Sequence, residues 1–123
     1  MTSSHTAMIT LYGIPNCDTV KKARTWLDEN DRAYTFHDFK KAGLDKVTVD
    51  SWLKRVSWEI LVNKKGTTWR GLPDATKASV VDAATATALM LENTSVIKRP
   101  VLCINNQVLV GFNADLYKNT LKA

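Results

Sequence analysis

Cys17 is the residue whose type and neighbourhood best suit it to chemistry. It stands in Ile9-Thr-Leu-Tyr-Gly-Ile-Pro-Asn-Cys17-Asp-Thr-Val-Lys-Lys-Ala23. That stretch reads as a short buried strand over Ile9 to Tyr12, a tight turn, and a helix opening at or next to Cys17. Gly13 and Pro15 punctuate the turn, and proline is barred from a central strand. Val20, Ala23 and Leu27 recur at helical spacing, which gives the helix an apolar stripe to lay on a sheet. A thiol at such a strand-to-helix junction faces unpaired N–H groups and the positive end of the helix dipole. It therefore ionises more readily, and the thiolate is the nucleophile. The chemistry this implies is redox or acyl-type. The competing reading is a buried structural cysteine, a common fate for free thiols, but a Pro-Asn turn is a poor approach to deep core. Asp18 opposes ionisation of its neighbour while suiting the first turn of a helix.

Val20 is informative by what it is not. A dithiol motif needs a second cysteine at that position, so Cys17 has no resolving partner in its own turn. The second sulfur comes either from Cys103 or from an external thiol such as glutathione. Cys103 lies within the apolar run Val101-Leu-Cys-Ile104 and reads as a small buried hydrophobe. Lys98-Arg99-Pro100 is the second constellation. Proline just before an apolar strand suits a strand start and a cis X-Pro bond. Arg99 would then project beside the Cys17 turn, where its planar fork takes carboxylate or phosphate-like oxygens and its charge favours the thiolate.

Asn16, adjacent to Cys17, and Lys21 join Arg99 and Pro100 as candidates for holding an anionic substrate. Lys22, Arg24, Lys64 and Arg70 read as solvated charge, any of which could line an anion pocket. His5 falls in the tail, and His37 reads as a sheet histidine. No metal-ligand spacing or glycine-rich phosphate loop occurs. The basic residues lack the aromatic interleaving of nucleic-acid readers, so neither a metal nor a nucleic acid is expected.

The elements that must position these residues follow from periodicity. The Cys17 helix is expected to end near Asn30. Ala33 to Phe39 alternates as a strand, giving a βαβ unit with a parallel pair, and residues 40–43 follow as a loop. In the middle, Thr48 is expected to cap a helix carrying Val49, Trp52, Leu53 and Val56, and Ser57 to cap another. The segment from Thr67 to Pro73 reads as irregular, and Asp82 to Asn93 as a helix of strong propensity. Pro100 to Ile104 and Val108 to Val110 form a hairpin through Asn105-Asn106. Asn113 caps a closing helix with Leu116, Tyr117 and Leu121. The order β-α-β, helical insertion, β-β-α is a thioredoxin-like α/β arrangement: a mixed sheet flanked by helices.

At 123 residues the chain suits one domain. The expected organisation is a tail over residues 1–7 and a single domain over 8–123 with a helical insertion at about 45–95. Apolar content of 45% and charged content of 24% are those of a globular protein. No apolar run approaches the roughly 20 residues that span a bilayer. Two distant cysteines without an export signal point to a reducing, cytoplasmic setting. The net charge of +5 suits a small anionic substrate or an acidic partner surface, and equally ordinary solubility.

The chain resembles the arsenate reductase (ArsC)/Spx family of thioredoxin-like proteins over Met8 to Ala123. The resemblance rests on the Cys17 stretch, Leu61-Val-Asn-Lys-Lys-Gly-Thr-Thr-Trp-Arg70, Ile97-Lys-Arg-Pro-Val-Leu102 and Val110-Gly-Phe112. It is nearest the YffB-like branch, which implies a glutathione-dependent thiol reductase with no bound cofactor and glutathione as co-substrate. The resemblance implies Cys17 as nucleophile, Arg99 before a cis Pro100 as anion contact, and Lys65 as a further basic residue of the pocket. Arsenate reductases of this type carry His-Asn-Pro-x-Cys-Gly-Thr-Ser-Arg where this chain has Gly13-Ile-Pro-Asn-Cys17-Asp-Thr-Val-Lys21, which sets arsenate behind disulfides as the expected substrate. The alternatives the family leaves are a genuine arsenate reductase and an Spx-like regulator that binds a protein partner, RNA polymerase.

Overall fold

The computed structural model describes residues 8–121. The expected tail over residues 1–7, with His5, lies outside the described residues. In chain order the elements begin with β1 (Ile9–Gly13), α1 (Asp18–Glu29), β2 (Thr35–Asp38) and α2 (Phe39–Ala42). The helical stretch continues with α3 (Lys46–Leu53), α4 (Trp58–Leu61), α5 (Thr67–Arg70), α6 (Asp74–Ser79) and α7 (Ala83–Glu92). A 3-10 turn (Thr94–Val96) leads to β3 (Val101–Ile104), β4 (Gln107–Val110) and α8 (Ala114–Leu121). The chain divides into two compact units. One holds the residues up to Asp38 with those from Arg99 onward, and the other is Phe39–Lys98.

The first unit is built on a four-stranded sheet in the order β2-β1-β3-β4. β1 and β2 run parallel, with Leu11 opposite Phe36. β3 is antiparallel to both its neighbours, pairing Leu11 with Leu102 and Leu102 with Leu109. Because strand side chains alternate, Ile9, Leu11, Leu102 and Ile104 share one face. Against them pack Ala23 and Leu27 of α1 and Tyr117 and Leu121 of α8, all buried. Gly13 closes β1 where α1 passes over it. A Cβ there would lie 2.8 Å from Cγ2 of Val20, so only glycine lets Val20 settle this close. The β3–β4 turn is the expected two-residue hairpin, with Asn105 in the left-handed region at φ 54°. Asn113 caps α8 by accepting from the Leu116 N–H at 2.9 Å.

In the second unit α3 and α4 pack on α7, burying Val49, Trp52, Leu61, Ala86 and Met90. The segment 61–63 is tied to 96–98 by Asn63 N–H to Val96 O (2.8 Å) and Lys98 N–H to Leu61 O (2.7 Å). α7 begins with a reciprocal cap in which Asp82 Oδ1 accepts from Thr85 N–H and Thr85 Oγ1 accepts from Asp82 N–H.

Several boundaries differ from expectation, each for a local reason. The cap of α3 is Asp45, whose carboxylate accepts from the Thr48 N–H at 2.9 Å; Thr48 is the donor, not the cap. Val56 falls beyond that helix. Phe39 leaves β2 for the single turn α2, because its ring is buried there. The segment expected to be irregular contains α5, and α6 follows Pro73, whose fixed φ suits a helix start.

Candidate active site

Cys17 occupies the N-cap position of α1 with an extended backbone (φ −108°, ψ 123°), and its carbonyl accepts the first helical hydrogen bond from Lys21 N–H at 2.9 Å. The thiol is half-buried. Burial alone would push its pKa up. The Val20 N–H, the Arg99 guanidinium and the Thr19 N–H all reach the sulfur and together outweigh that, so the thiol sits below its ordinary value. Magnitudes fit this order. A hydrogen bond to a charged group contributes about 1.5–3 kcal/mol, against roughly 0.3–1 kcal/mol for the dipole of an exposed helix end. Directed donors, rather than the diffuse field of α1, hold the thiolate. Asp18, in the first turn, does not reverse the result.

Arg99 stands two residues before β3. The Arg99–Pro100 peptide bond is cis, as the sequence led one to expect. Pro100 is buried and its carbonyl accepts from Gly111 N–H at 2.8 Å. Gly111 has φ +81°, a conformation that favours glycine.

The structure thus brings Cys17 and Arg99 together. Asn16 is exposed in the turn before Cys17. Lys21 is exposed one turn along α1, where it borders a groove rather than the sulfur. Lys65 is exposed in the turn before α5 of the helical unit. Its neighbour Lys64 is held over two indole rings, 5.3 Å from the Trp58 centroid and 5.4 Å from that of Trp69. Arg24 is committed elsewhere, lying 4.3 Å over the Phe36 ring and donating Nε–H to Tyr34 Oη at 3.0 Å. His37 sits across from Tyr12, ring centroids 5.1 Å apart, as a sheet histidine does.

Cys103 corrects an expectation. It is half-buried, not core. Strand alternation sends Leu102 and Ile104 to the face packed by α1 and α8 and turns Cys103 to the opposite face, between Thr10 and Val108. It is not disulfide-bonded to Cys17.

What the sequence did not reveal is the aromatic groove beside α1. Tyr117 is fully buried and receives both the Trp26 ring (centroids 5.6 Å, edge-on) and the Phe112 ring (4.9 Å, edge-on). Its hydroxyl points at Gly111 O, 3.5 Å away, and burial pushes the phenol's pKa up. Trp26, Phe112 and Tyr117 lie far apart in sequence, and no periodicity joins them.

A β-α-β…β-β-α sheet unit with an activated thiol at the first helix and a cis proline opening the third strand defines a thioredoxin-like protein. Within that class the chain belongs to the ArsC family, whose model matches residues 12–120. It is similar to a solved structure described as YFFB protein, with 49% identity, 92% of this chain and 98% of that chain covered, and a TM-score of 0.88. It is similar also to an arsenate reductase (ArsC) related protein from Brucella melitensis, 50% identical over 94% of this chain and 96% of that one, TM-score 0.72. Among curated proteins, the global transcriptional regulator Spx of Streptococcus mutans is 28% identical over 88% of this chain and 79% of its own length. No helix among the described residues is long and apolar enough to cross a membrane.

Proposed function

We propose that the protein is a glutathione-dependent thiol–disulfide reductase that works through Cys17 alone. The observation that carries this reading is the convergence of the Val20 and Thr19 N–H groups and Arg99 on one half-buried sulfur. The Cys17 thiolate attacks the glutathionyl sulfur of a mixed disulfide RS–SG. The S–S bond breaks, RS⁻ leaves and takes a proton from solvent, and Cys17 carries glutathione as a new mixed disulfide. A glutathione thiolate then attacks the glutathionyl sulfur of that adduct, freeing Cys17 and releasing oxidised glutathione. One disulfide is reduced and two glutathione units are joined, so electrons balance with no bound cofactor. Val20 stands where a resolving cysteine would be, which supports an external second thiol. Arg99 takes an anionic group of the substrate, with Asn16 next to Cys17 and Pro100 next to Arg99 in sequence, and the family resemblance suggests Lys65 as a further basic contact. The setting such a cycle requires is a reducing compartment such as the cytoplasm.

The test is NADPH consumption coupled through glutathione reductase, with bis(2-hydroxyethyl) disulfide and arsenate run in parallel. The expected result is Cys17-dependent disulfide turnover exceeding arsenate turnover, with a glutathione adduct on Cys17 seen by mass spectrometry. Arsenate turnover above disulfide turnover would make the protein an arsenate reductase. The similarity to Spx favours a second reading, a regulator that docks on a protein such as RNA polymerase. Absence of Cys17-dependent turnover on both substrates, with polymerase subunits bound equally by wild type and Cys17→Ser, would select it.

A further inference from the structure

A groove of about 400 Å³ runs along the exposed side of α1, away from Cys17. Its walls are Trp26 and Phe112, with Thr25 and Ala114 between them. Both wall rings rest edge-on against buried Tyr117, so the walls are fixed by packing and not by ligand. The two ends differ in charge. Lys21 and Lys22 border the end nearer Cys17, and Glu29 borders the far end. Lys21 lies one turn beyond Cys17, its N–H bonded to the Cys17 carbonyl, so the groove begins where the nucleophile's own helical turn ends. None of these residues belongs to the Cys17–Arg99 pair.

We propose that this groove is the docking site for the polypeptide part of a protein mixed disulfide: an extended segment with an acidic residue and then a bulky apolar one following its cysteine. The inference rests on Cys17 being the nucleophile, and it names the substrate class as protein rather than small disulfides. Charge complementarity sets the direction. Lys21 and Lys22 take the acidic side chain, the aromatic walls take the apolar one, and Glu29 favours a basic residue at the far end. Spacing sets the register. At about 1.5 Å per helical residue and about 3.3 Å per extended residue, Lys21 and Lys22 lie about two substrate residues from the cysteine. Trp26 lies about four away and Glu29 five to six. The segment therefore reads Cys-x-acidic-x-apolar, with a basic residue after it. An open, aromatic-walled groove of this kind suits a laid-in peptide, whose side chain supplies the apolar contact and whose backbone stays hydrated.

The experiment uses the full chain and a synthetic peptide, Ser-Gly-Glu-Gly-Leu-Lys, in which serine replaces the cysteine so that binding is read without reaction. Titration followed by nitrogen–proton NMR is expected to shift the Trp26 indole N–H and the Phe112 and Ala114 amides. Thr25→Arg, at an exposed position, is expected to weaken binding at least tenfold while leaving the rest of the spectrum unchanged. So is a charge-swapped peptide, Ser-Gly-Lys-Gly-Leu-Glu. A groove that does not respond, a charge-swapped peptide that binds equally, or groove shifts that track protein concentration without peptide would each overturn the proposal. The last would mark the groove as a contact between copies of this chain. The glutathionylated cysteine peptide is then compared with bis(2-hydroxyethyl) disulfide. Thr25→Arg should lower the ratio of kcat/KM for peptide over small disulfide about tenfold, and an unchanged ratio would also overturn it. Loss of the thiol-reductase reading shows separately, as absent Cys17-dependent turnover on the small disulfide with the groove shifts intact.

Discussion

The two cysteines are both half-buried, yet they stand at different kinds of backbone position. Cys17 is met by two backbone N–H groups and a guanidinium. Cys103 lies mid-strand, flanked across the sheet by Thr10 and Val108. Burial does not single out Cys17 here, whereas its place at the start of a helix does. The backbone explains the contrast: a helix N-terminus leaves N–H groups unused, while a central strand spends its own on both neighbours.

The strongest way to break this comparison is to exchange the cysteines' roles. Cys17→Ser should abolish disulfide turnover, while Cys103→Ser should retain most of it in the same coupled assay. Loss on Cys103→Ser with Cys17 intact would make the second sulfur internal. Next in size is Arg99→Ala. Removing a charged donor from a half-exposed sulfur should slow iodoacetamide alkylation of Cys17 about tenfold near neutral pH. It should also move the midpoint of the pH profile upward, with Cys103 unaffected. Mass spectrometry after a short pulse of label reads both thiols at once, and a faster Cys103 in wild type would overturn the ranking.

Gly13→Ala tests whether the site depends on the close approach of α1 to β1. The new methyl would press on Val20 Cγ2 at 2.8 Å, and overpacking of a buried contact costs about 1–3 kcal/mol. Urea unfolding should show that loss, with slower Cys17 alkylation as the Val20 N–H shifts. The smallest expected effect is a pH dependence of stability. Folding lowers the Cys17 pKa, so the thiolate contributes stability above the unfolded thiol value of about 8.5. That contribution is lost as pH falls through the folded value. The stability gap between wild type and Cys17→Ser should therefore widen from pH 6 to pH 9, and a gap that narrows would contradict the assigned direction.

The Cys17 turn, α1 to Asn30, the parallel β1–β2 pair and the Asn105-Asn106 hairpin were all legible, because each is set by residues close in sequence. The cis bond before Pro100 was legible from a proline at a strand start. Cys103 was misjudged because an apolar run hides which face each residue takes until its neighbours are known. Asp45 was missed as the α3 cap because Thr48, an equally good capping type, stands three residues on. The middle helices α5 and α6 are short and carry little apolar periodicity; α6 buries none of its side chains. The groove was invisible for a different reason: Trp26, Phe112 and Tyr117 meet only through the sheet's folding.

Val20 gives the molecule a particular relation to time. A protein with two thiols in one turn returns to its starting state at a rate of its own, indifferent to dilution. With valine buried at that position, the return half of the proposed cycle is a collision with a second molecule. Its duration scales inversely with the concentration of outside thiol, so the lifetime of the adduct on Cys17 is set by the solution and not by the fold. A cell poor in reduced glutathione would hold the protein in its loaded form, and the loaded fraction would serve as a running measure of that pool.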